Sequence, residues 1–536
     1  MNRILIVLLT LLFSLQQQAQ AMNVDAFMDN HIAPICDSIA DIIFFPVTIG
    51  TSKVPLIIFW ILFAGIFFTI FFRGISVWGL KHAIDIVSKP SSKKDKDNSE
   101  SSDDPSGEVS SFQALATALS GTIGIGSIAG VAISISIGGP GAAFWIFAGA
   151  FLGMSIKFVE ASLAVKYRRF NIDGTVSGGP MHYIAHGLTR KKLRWLGQPL
   201  SVIFAVLCIG GAISGGNMIQ INQSAHQLVL ITGGAHSFLN GYTWVFGVII
   251  AILVWLAVVD GIKSISKITT ILVPTMCFLY IGAGLVVILA NFMHIPHAIA
   301  LIVREAFSPH AVAGGVFGTI IIGLRRSVQS NEAGTGAAAI AYAAVKTNEP
   351  VSQGFVALLE TLLTGILCLL TSFAIVFSGV LDKGYEVGQI SGIELASSAF
   401  ESVISFFPYI LSLVVILFAL STLISWAYYG QKAWTFLVGE GHKRNLSFDV
   451  IYCLFIIIGS AMNVGSVIYI TDAMMIAMCV PNIIALYVLA PDIKRDLIDY
   501  CNRHQVAKWL NRDWVKPVPV AVEAEDEGED VCQINK

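Results

Sequence analysis

Four short runs of small and polar residues interrupt otherwise apolar stretches of the chain. Their residue types suit binding rather than covalent chemistry. The first run is Ser120-Gly121-Thr122-Ile123-Gly124-Ile125-Gly126-Ser127. The second, GGAISGGNMIQINQ, carries Gly215, and its Asn217, Gln220 and Ser224 recur at helical spacing and so share one face. The third places Ser327, Gln329, Ser330, Asn331 and Glu332 directly after Arg325 and Arg326. In the fourth, Ser421, Thr422 and Ser425 share a face and Trp426 follows. Hydroxyls and backbone carbonyls are the ligands of hard cations. Amide side chains and half-helix ends suit the two charges of a small zwitterion. Hydrolytic chemistry is not indicated, because there is no HExxH, no GxSxG and no histidine beside Glu332. Each run also has a plainer use. Gly126 and Gly130 have the GxxxG spacing of close helix packing. The amides could hydrogen-bond between helices, and the hydroxyls could bond back to their own helix. Glu332 could pair with Arg325 or Arg326 to hold a break in its helix. Gly124, Gly126 and Ala129 match GxGxxA, but no strand precedes them and position 149 is glycine, so a dinucleotide fingerprint is rejected.

The elements that must position these runs are membrane spans. The chain has 536 residues, 55% hydrophobic and only 13% charged, against about 25% charged in soluble domains. Repeated apolar runs of about 20 residues, the length that crosses a bilayer as helix, predict an all-α polytopic membrane protein. The eight cysteines are scattered without a CxxC, so neither zinc nor a disulfide framework is indicated. No cofactor is expected.

Residues 1–21 read as a signal peptide, with Arg3, a short apolar stretch and Ala19-Gln20-Ala21 as the cleavage site. Residues 22–52 would then lie outside, 53–76 form an extra N-terminal transmembrane helix, and 77–110 form a charged cytoplasmic linker. The core, 111–490, divides into spans at 111–137, 140–166, 199–231, 241–259, 267–290, 314–342, 352–378, 403–435, 447–466 and 467–490. Residues 292–307 are expected as an external connector helix and 491–536 as a polar cytoplasmic tail. Basic residues fall on one side: Arg168, Arg169, Arg190, Lys191, Lys192, Arg194, Lys263, Lys267, Lys443, Arg444, Lys494 and Arg495. The other side holds little beyond Lys53, Arg304 and Lys383. This bias predicts an external N-terminus and a cytoplasmic C-terminus.

Two core spans are poor helix material. Each interior glycine costs about 1 kcal/mol relative to alanine, and the first span carries several beside hydroxyls. Backbone freed by a break is tolerated at membrane depth only where it lines protein or a watery cavity. The second such span, 314–342, lies five spans later, which turns the second half upside down relative to the first. Paired interrupted spans in an inverted repeat are the sequence mark of a transporter binding site, and an acidic residue such as Glu332 at that depth is functional by default.

These segments together resemble the alanine or glycine:cation symporter family. The stretches that carry the likeness are FQALATALSGTIGIGSIAGVA, GGPGAAFWIFAGAFLGMSIKFVEASLAVKYR, GTVSGGPMHYI, GGNMIQINQS, GLRRSVQSNEAGTGAAA with AAVKTNEPVSQG, and LSTLISWAYYGQK, spread over residues 110–435. The resemblance implies a leucine-transporter-like fold of two inverted five-helix repeats with alternating access. It implies monomeric uptake of a small neutral amino acid with sodium, less often protons, across a bacterial inner membrane. The substrate site it implies comprises Thr122, Gly124, Gly126, Ser127, Gly215, Asn217, Gln220, Ser330, Asn331 and Trp426. The sodium site it implies comprises the carbonyls of Ser120 and Ile123 with the hydroxyls of Ser421 and Thr422. Arg325, Arg326 and Glu332 would act in gating or in holding the break. The chain departs from the family where asparagine usually follows the glycines, here Ser127, and where phenylalanine usually precedes SNEAG, here Gln329. The alternatives are a proton-coupled or differently specific transporter, a sensor that kept the fold and lost transport, a membrane enzyme, and a channel.

Overall fold

The computed structural model describes residues 52–88, 107–171, 174–308, 315–380, 392–462 and 464–506, with a few more between 38 and 49. The proposed signal peptide, most of the charged linker and the acidic end of the tail lie outside the described residues. A hairpin of β1 (Pro46–Ile49) and β2 (Ser52–Pro55) leads into α1 (Leu56–Phe71). The chain then bends by 71° into α2 (Ile75–Ser88), so the stretch read as linker from residue 77 begins as helix.

The first core span opens on a capping box. Gln113 N–H donates to Ser110 Oγ at 3.2 Å and Ser110 N–H to Gln113 Oε1 at 2.9 Å, which satisfies two of the orphan amides of a helix start. Its two halves, α3 (Ser111–Thr122) and α4 (Ala129–Gly138), differ in direction by 62°. A single 3₁₀ turn, Ile125–Ser127, joins them. Then follow α5 (Ala142–Lys166), a short hairpin of β3 (Arg169–Phe170) with β4 (Val176–Ser177), and α6 (Pro180–Arg190). The third span is α7 (Arg194–Ile213) and α8 (Ile219–Ile231), continuous through a π-helical turn at Ser214–Met218. Such a turn often marks a functional site.

Next come α9 (Thr243–Val258), α10 (Ile262–Ala290) and the connector α11 (Ile295–Ala306). The second broken span is α12 (Gly315–Asn331) with a short α13 (Ala339–Ala343). Glu332, Gly334 and Gly336 between them all have positive φ, 55°, 93° and 77°. The rest are α14 (Pro350–Ser378), α15 (Gly392–Glu401), α16 (Phe407–Val438), α17 (His442–Ala461) and α18 (Val464–His504). Helix α18 runs well into the segment read as polar tail. Among the described residues seven helices are long and apolar enough to cross a membrane, and two bent pairs raise the number to nine. Large apolar side chains such as Leu253, Leu256, Phe278 and Leu289 face outward, as a lipid-facing surface requires.

The buried centre is polar as well as apolar. Helix α5 packs along α14, and between them Lys157 Nζ meets Glu360 Oε1 at 2.8 Å with side chains 1% and 0% exposed. Tyr342 donates to the other oxygen of Glu360 at 3.0 Å. Nearby, Glu160 Oε1 accepts from Gly334 N–H at 3.0 Å and from Asn482 Nδ2 at 2.7 Å, and Asn482 also donates to the Gly334 carbonyl at 2.7 Å. The second break is therefore clasped by α5 and α18.

Candidate functional site

The two breaks meet. Ser330 Oγ donates to the Gly126 carbonyl at 3.5 Å, and a cavity of about 60 Å³ opens between the first break, the π-helical turn, Trp426 and α18. Of the residues singled out by sequence, Thr122, Gly124, Gly126, Gly215, Gln220, Arg326, Glu332 and Trp426 line it. Gln220 fastens the break to the π-helical turn. Its Oε1 accepts from Ile125 N–H at 3.1 Å and its Nε2 donates to the Gly215 carbonyl at 3.0 Å.

Other expected residues are buried nearby but turned away from the cavity. Asn217 donates to the Tyr452 carbonyl at 2.8 Å. Asn331 closes α12, accepting from Ala333 N–H at 2.8 Å and donating to Ser327 Oγ at 2.9 Å. The Ser127 carbonyl accepts from Thr371 at 3.0 Å, on the α14 side. Ser330 spends its hydroxyl on the first break, as above. Arg325 does not reach Glu332: it pairs with Asp472 and stacks over Phe44 at 4.5 Å. Arg326 donates from Nε to Ser134 Oγ at 3.2 Å. Glu332 accepts from Trp426 Nε1 at 3.1 Å instead. The reading in which Arg325 or Arg326 pairs with Glu332 to hold the break is thus replaced by a tryptophan and, behind the break, by the Glu160–Asn482 clasp.

Behind the first break, α3 and α16 share a dense oxygen cluster. The Ser120 carbonyl accepts from Thr422 Oγ1 at 3.1 Å; Ser421 Oγ lies 3.4 Å from the same carbonyl and bonds back to its own helix, donating to the Phe418 carbonyl at 2.9 Å. Ser120 Oγ donates to the Ser421 carbonyl at 2.6 Å and accepts from Ser425 Oγ at 2.8 Å. Ile123 leaves helical geometry beside them, at φ −81° and ψ 77°. These four residues, Ser120, Ile123, Ser421 and Thr422, come together without a formal charge. Only Gly124 separates the cluster from the cavity: a Cβ there would sit 2.9 Å from Thr422 Oγ1 and 3.0 Å from Gln220 Oε1. The oxygen cluster and the cavity therefore share one piece of backbone.

Gln329, singled out by sequence as a departure from the family, is in the lining, whereas sequence reasoning missed Gln223, Thr471 and Asp472 there. It also missed Lys157, Glu160 and Glu360. The signal was present, since KFVEA, ALLET and ITDAM each place an ionisable residue inside an apolar span.

Broken first and sixth core spans that meet at a buried cavity define a secondary transporter of the leucine-transporter fold. The structure of MhsT in complex with L-phenylalanine shows the same fold, at 15% identity and a TM-score of 0.50, covering 72% of this chain and 89% of that one. The chain belongs to the sodium:alanine symporter family, whose model matches residues 41–512. The sodium/alanine symporter AgcS of Methanococcus maripaludis is 36% identical over 81% of this chain and 92% of its own length. A probable sodium/glutamine symporter, GlnT of Bacillus subtilis, is 31% identical over 84% and 89%.

Proposed function

We propose that this protein takes up a small neutral amino acid in symport with sodium. The observation that carries the proposal is the shared backbone at Gly124, with the uncharged oxygen cluster on one side and a small glycine-walled cavity on the other. Sodium is a hard cation that prefers oxygen, and Ser120, Ile123, Ser421 and Thr422 supply oxygens without a carboxylate, which suits reversible release. An ion there would stiffen the break that forms the cavity wall, and linkage makes the coupling reciprocal. The small-residue wall of Gly124, Gly126 and Gly215, closed by Trp426, favours a short side chain. The relatives' names support an amino acid and sodium, and they divide between alanine and glutamine; the wall of glycines closed by Trp426 favours the smaller. We place the protein in a bacterial inner membrane with its N-terminus outside.

Uptake of labelled amino acids into proteoliposomes, with and without an inward sodium gradient, tests this. Sodium-driven accumulation of alanine or glycine is expected. Thr422→Val keeps the shape and removes one oxygen ligand, and it should raise the sodium concentration for half-maximal uptake about tenfold, the loss of one interaction of about 1.4 kcal/mol. Uptake driven by a pH gradient alone, with sodium dependence unmoved by Thr422→Val, would overturn the sodium assignment.

A further inference from the structure

Three ionisable side chains line the cavity: Arg326, Asp472 and Glu332. Asp472 is neutralised by Arg325, and Arg326 packs its guanidinium on Gly130 while donating to Ser134. Glu332 is different. One oxygen accepts from Trp426, whereas Oε2 has no hydrogen-bond partner among the described residues, and the residue is 2% exposed. The one lysine that faces it, Lys157, is committed to Glu360. The other groups facing it are Glu160 of α5, Glu360 of α14, Tyr429 of α16 and Cys208 of α7, and none brings a positive charge.

An unpaired carboxylate oxygen away from water is costly. Glu332 moreover holds φ at 55°, a conformation that costs a non-glycine residue about 1–3 kcal/mol and persists at functional sites. Trp426 fixes one carboxylate oxygen, the other has no partner among the described residues, and Glu332 is one of the residues that line the cavity. An unpartnered carboxylate oxygen is an acceptor, so it suits a hydrogen-bond donor. The same wall also carries positive character, from Arg326 and from the N-terminal end of α4.

We infer that Glu332 Oε2 receives the ammonium group of the transported amino acid, which makes Glu332 a specificity-determining residue that selects amines over hydroxy acids. The inference rests on the amino-acid reading above. The carboxylate of the same zwitterion lies toward Arg326 and the start of α4, and Trp426 acts as the positioning residue for Glu332.

Binding of labelled alanine to the purified full-length protein in saturating sodium tests it, with lactate, which has a hydroxyl in place of the ammonium, as competitor. In the wild type, lactate should not displace alanine. Glu332→Gln should weaken alanine binding about 10- to 100-fold, the range of a charge-assisted hydrogen bond, and bring lactate within about threefold of alanine. Trp426→Phe removes only the N–H that fixes Oε1, so it should cost less and leave lactate rejected. Glu332→Gln binding alanine within twofold of wild type, with lactate still excluded, would overturn the inference. Should that variant not fold, the wild type alone decides. Alaninamide keeps the ammonium and lacks the carboxylate, so it should compete better than lactate, and the reverse order sinks the idea. A wild type that binds no amino acid at all counts against the function proposed above rather than against Glu332.

Discussion

Gly216 sets how far Trp426 can withdraw from the cavity. A Cβ at Gly216 would collide with the Cβ, Cγ and Cδ2 of Trp426. The Cβ moves with no rotamer, so a change of χ1 alone cannot clear the contact. Gly216→Ala must therefore push the indole, and overpacking of this kind costs about 1–3 kcal/mol. Trp426 lines the cavity, so the expected result of displacing its indole is a smaller pocket. Alanine uptake should fall about tenfold while glycine uptake falls less, and the ratio of the two rates in proteoliposomes is the measurement. An unchanged ratio would mean that Trp426 walls no part of the substrate's side-chain space. Thr422 lies instead against Gly124 of the first break. The two substitutions thus probe the substrate and the ion separately.

Lys157 and Glu360 show what a buried charge does for two packed helices. Each is almost wholly excluded from solvent, and removing one partner of such a pair costs about 3–5 kcal/mol because the other charge is stranded. Lys157→Met should lower the thermal midpoint of the detergent-purified protein sharply, and Lys157→Met with Glu360→Gln should recover more than half of the loss. Equal losses in the single and double variants would show that the pair is not what binds α5 to α14. This pair also marks the limit of sequence reading. The spans, their order and both breaks were legible because hydropathy and glycine placement act within a few residues. The residues of the oxygen cluster between α3 and α16 came from the family resemblance and not from any local pattern, and the clasp of Glu160 and Asn482 on Gly334 joins residues too far apart in the chain for a local pattern to encode. Asn217 and Asn331 read as ligands by type, yet in the fold one bonds to the Tyr452 carbonyl and the other caps its own helix. Helix α2 was hidden in a segment judged by its charged downstream composition. Its buried face, including Ile75, Gly79 and Ala83, needs α14 to be recognised as a face at all.

Across the whole molecule the charges are sorted by end. Helix α5 serves as the ruler. Near its start Trp145 Nε1 donates to the Ala306 carbonyl at 3.0 Å, which holds the connector α11 at that end. At its finish Lys166 pairs with Asp496 at 2.6 Å. At 1.5 Å per residue those two points are about 30 Å apart, close to the thickness of the hydrocarbon core. The finish gathers further cationic residues and their partners: Lys191 with Asp492 at 2.8 Å, and Arg503 with Glu349. Arg304, 80% exposed, sits at the start. Positive charge concentrated at one end orients a membrane protein with that end in the cytoplasm. We therefore expect Arg304 outside and the loop between α6 and α7, with Lys192, inside. The test uses a background in which the eight native cysteines are replaced by alanine and uptake is retained. Arg304→Cys should react with a membrane-impermeant thiol reagent on intact cells. Lys192→Cys, also on an exposed residue, should react only after permeabilisation. Labelling in the opposite pattern would invert the molecule, and with it the direction in which the cavity first opens to substrate.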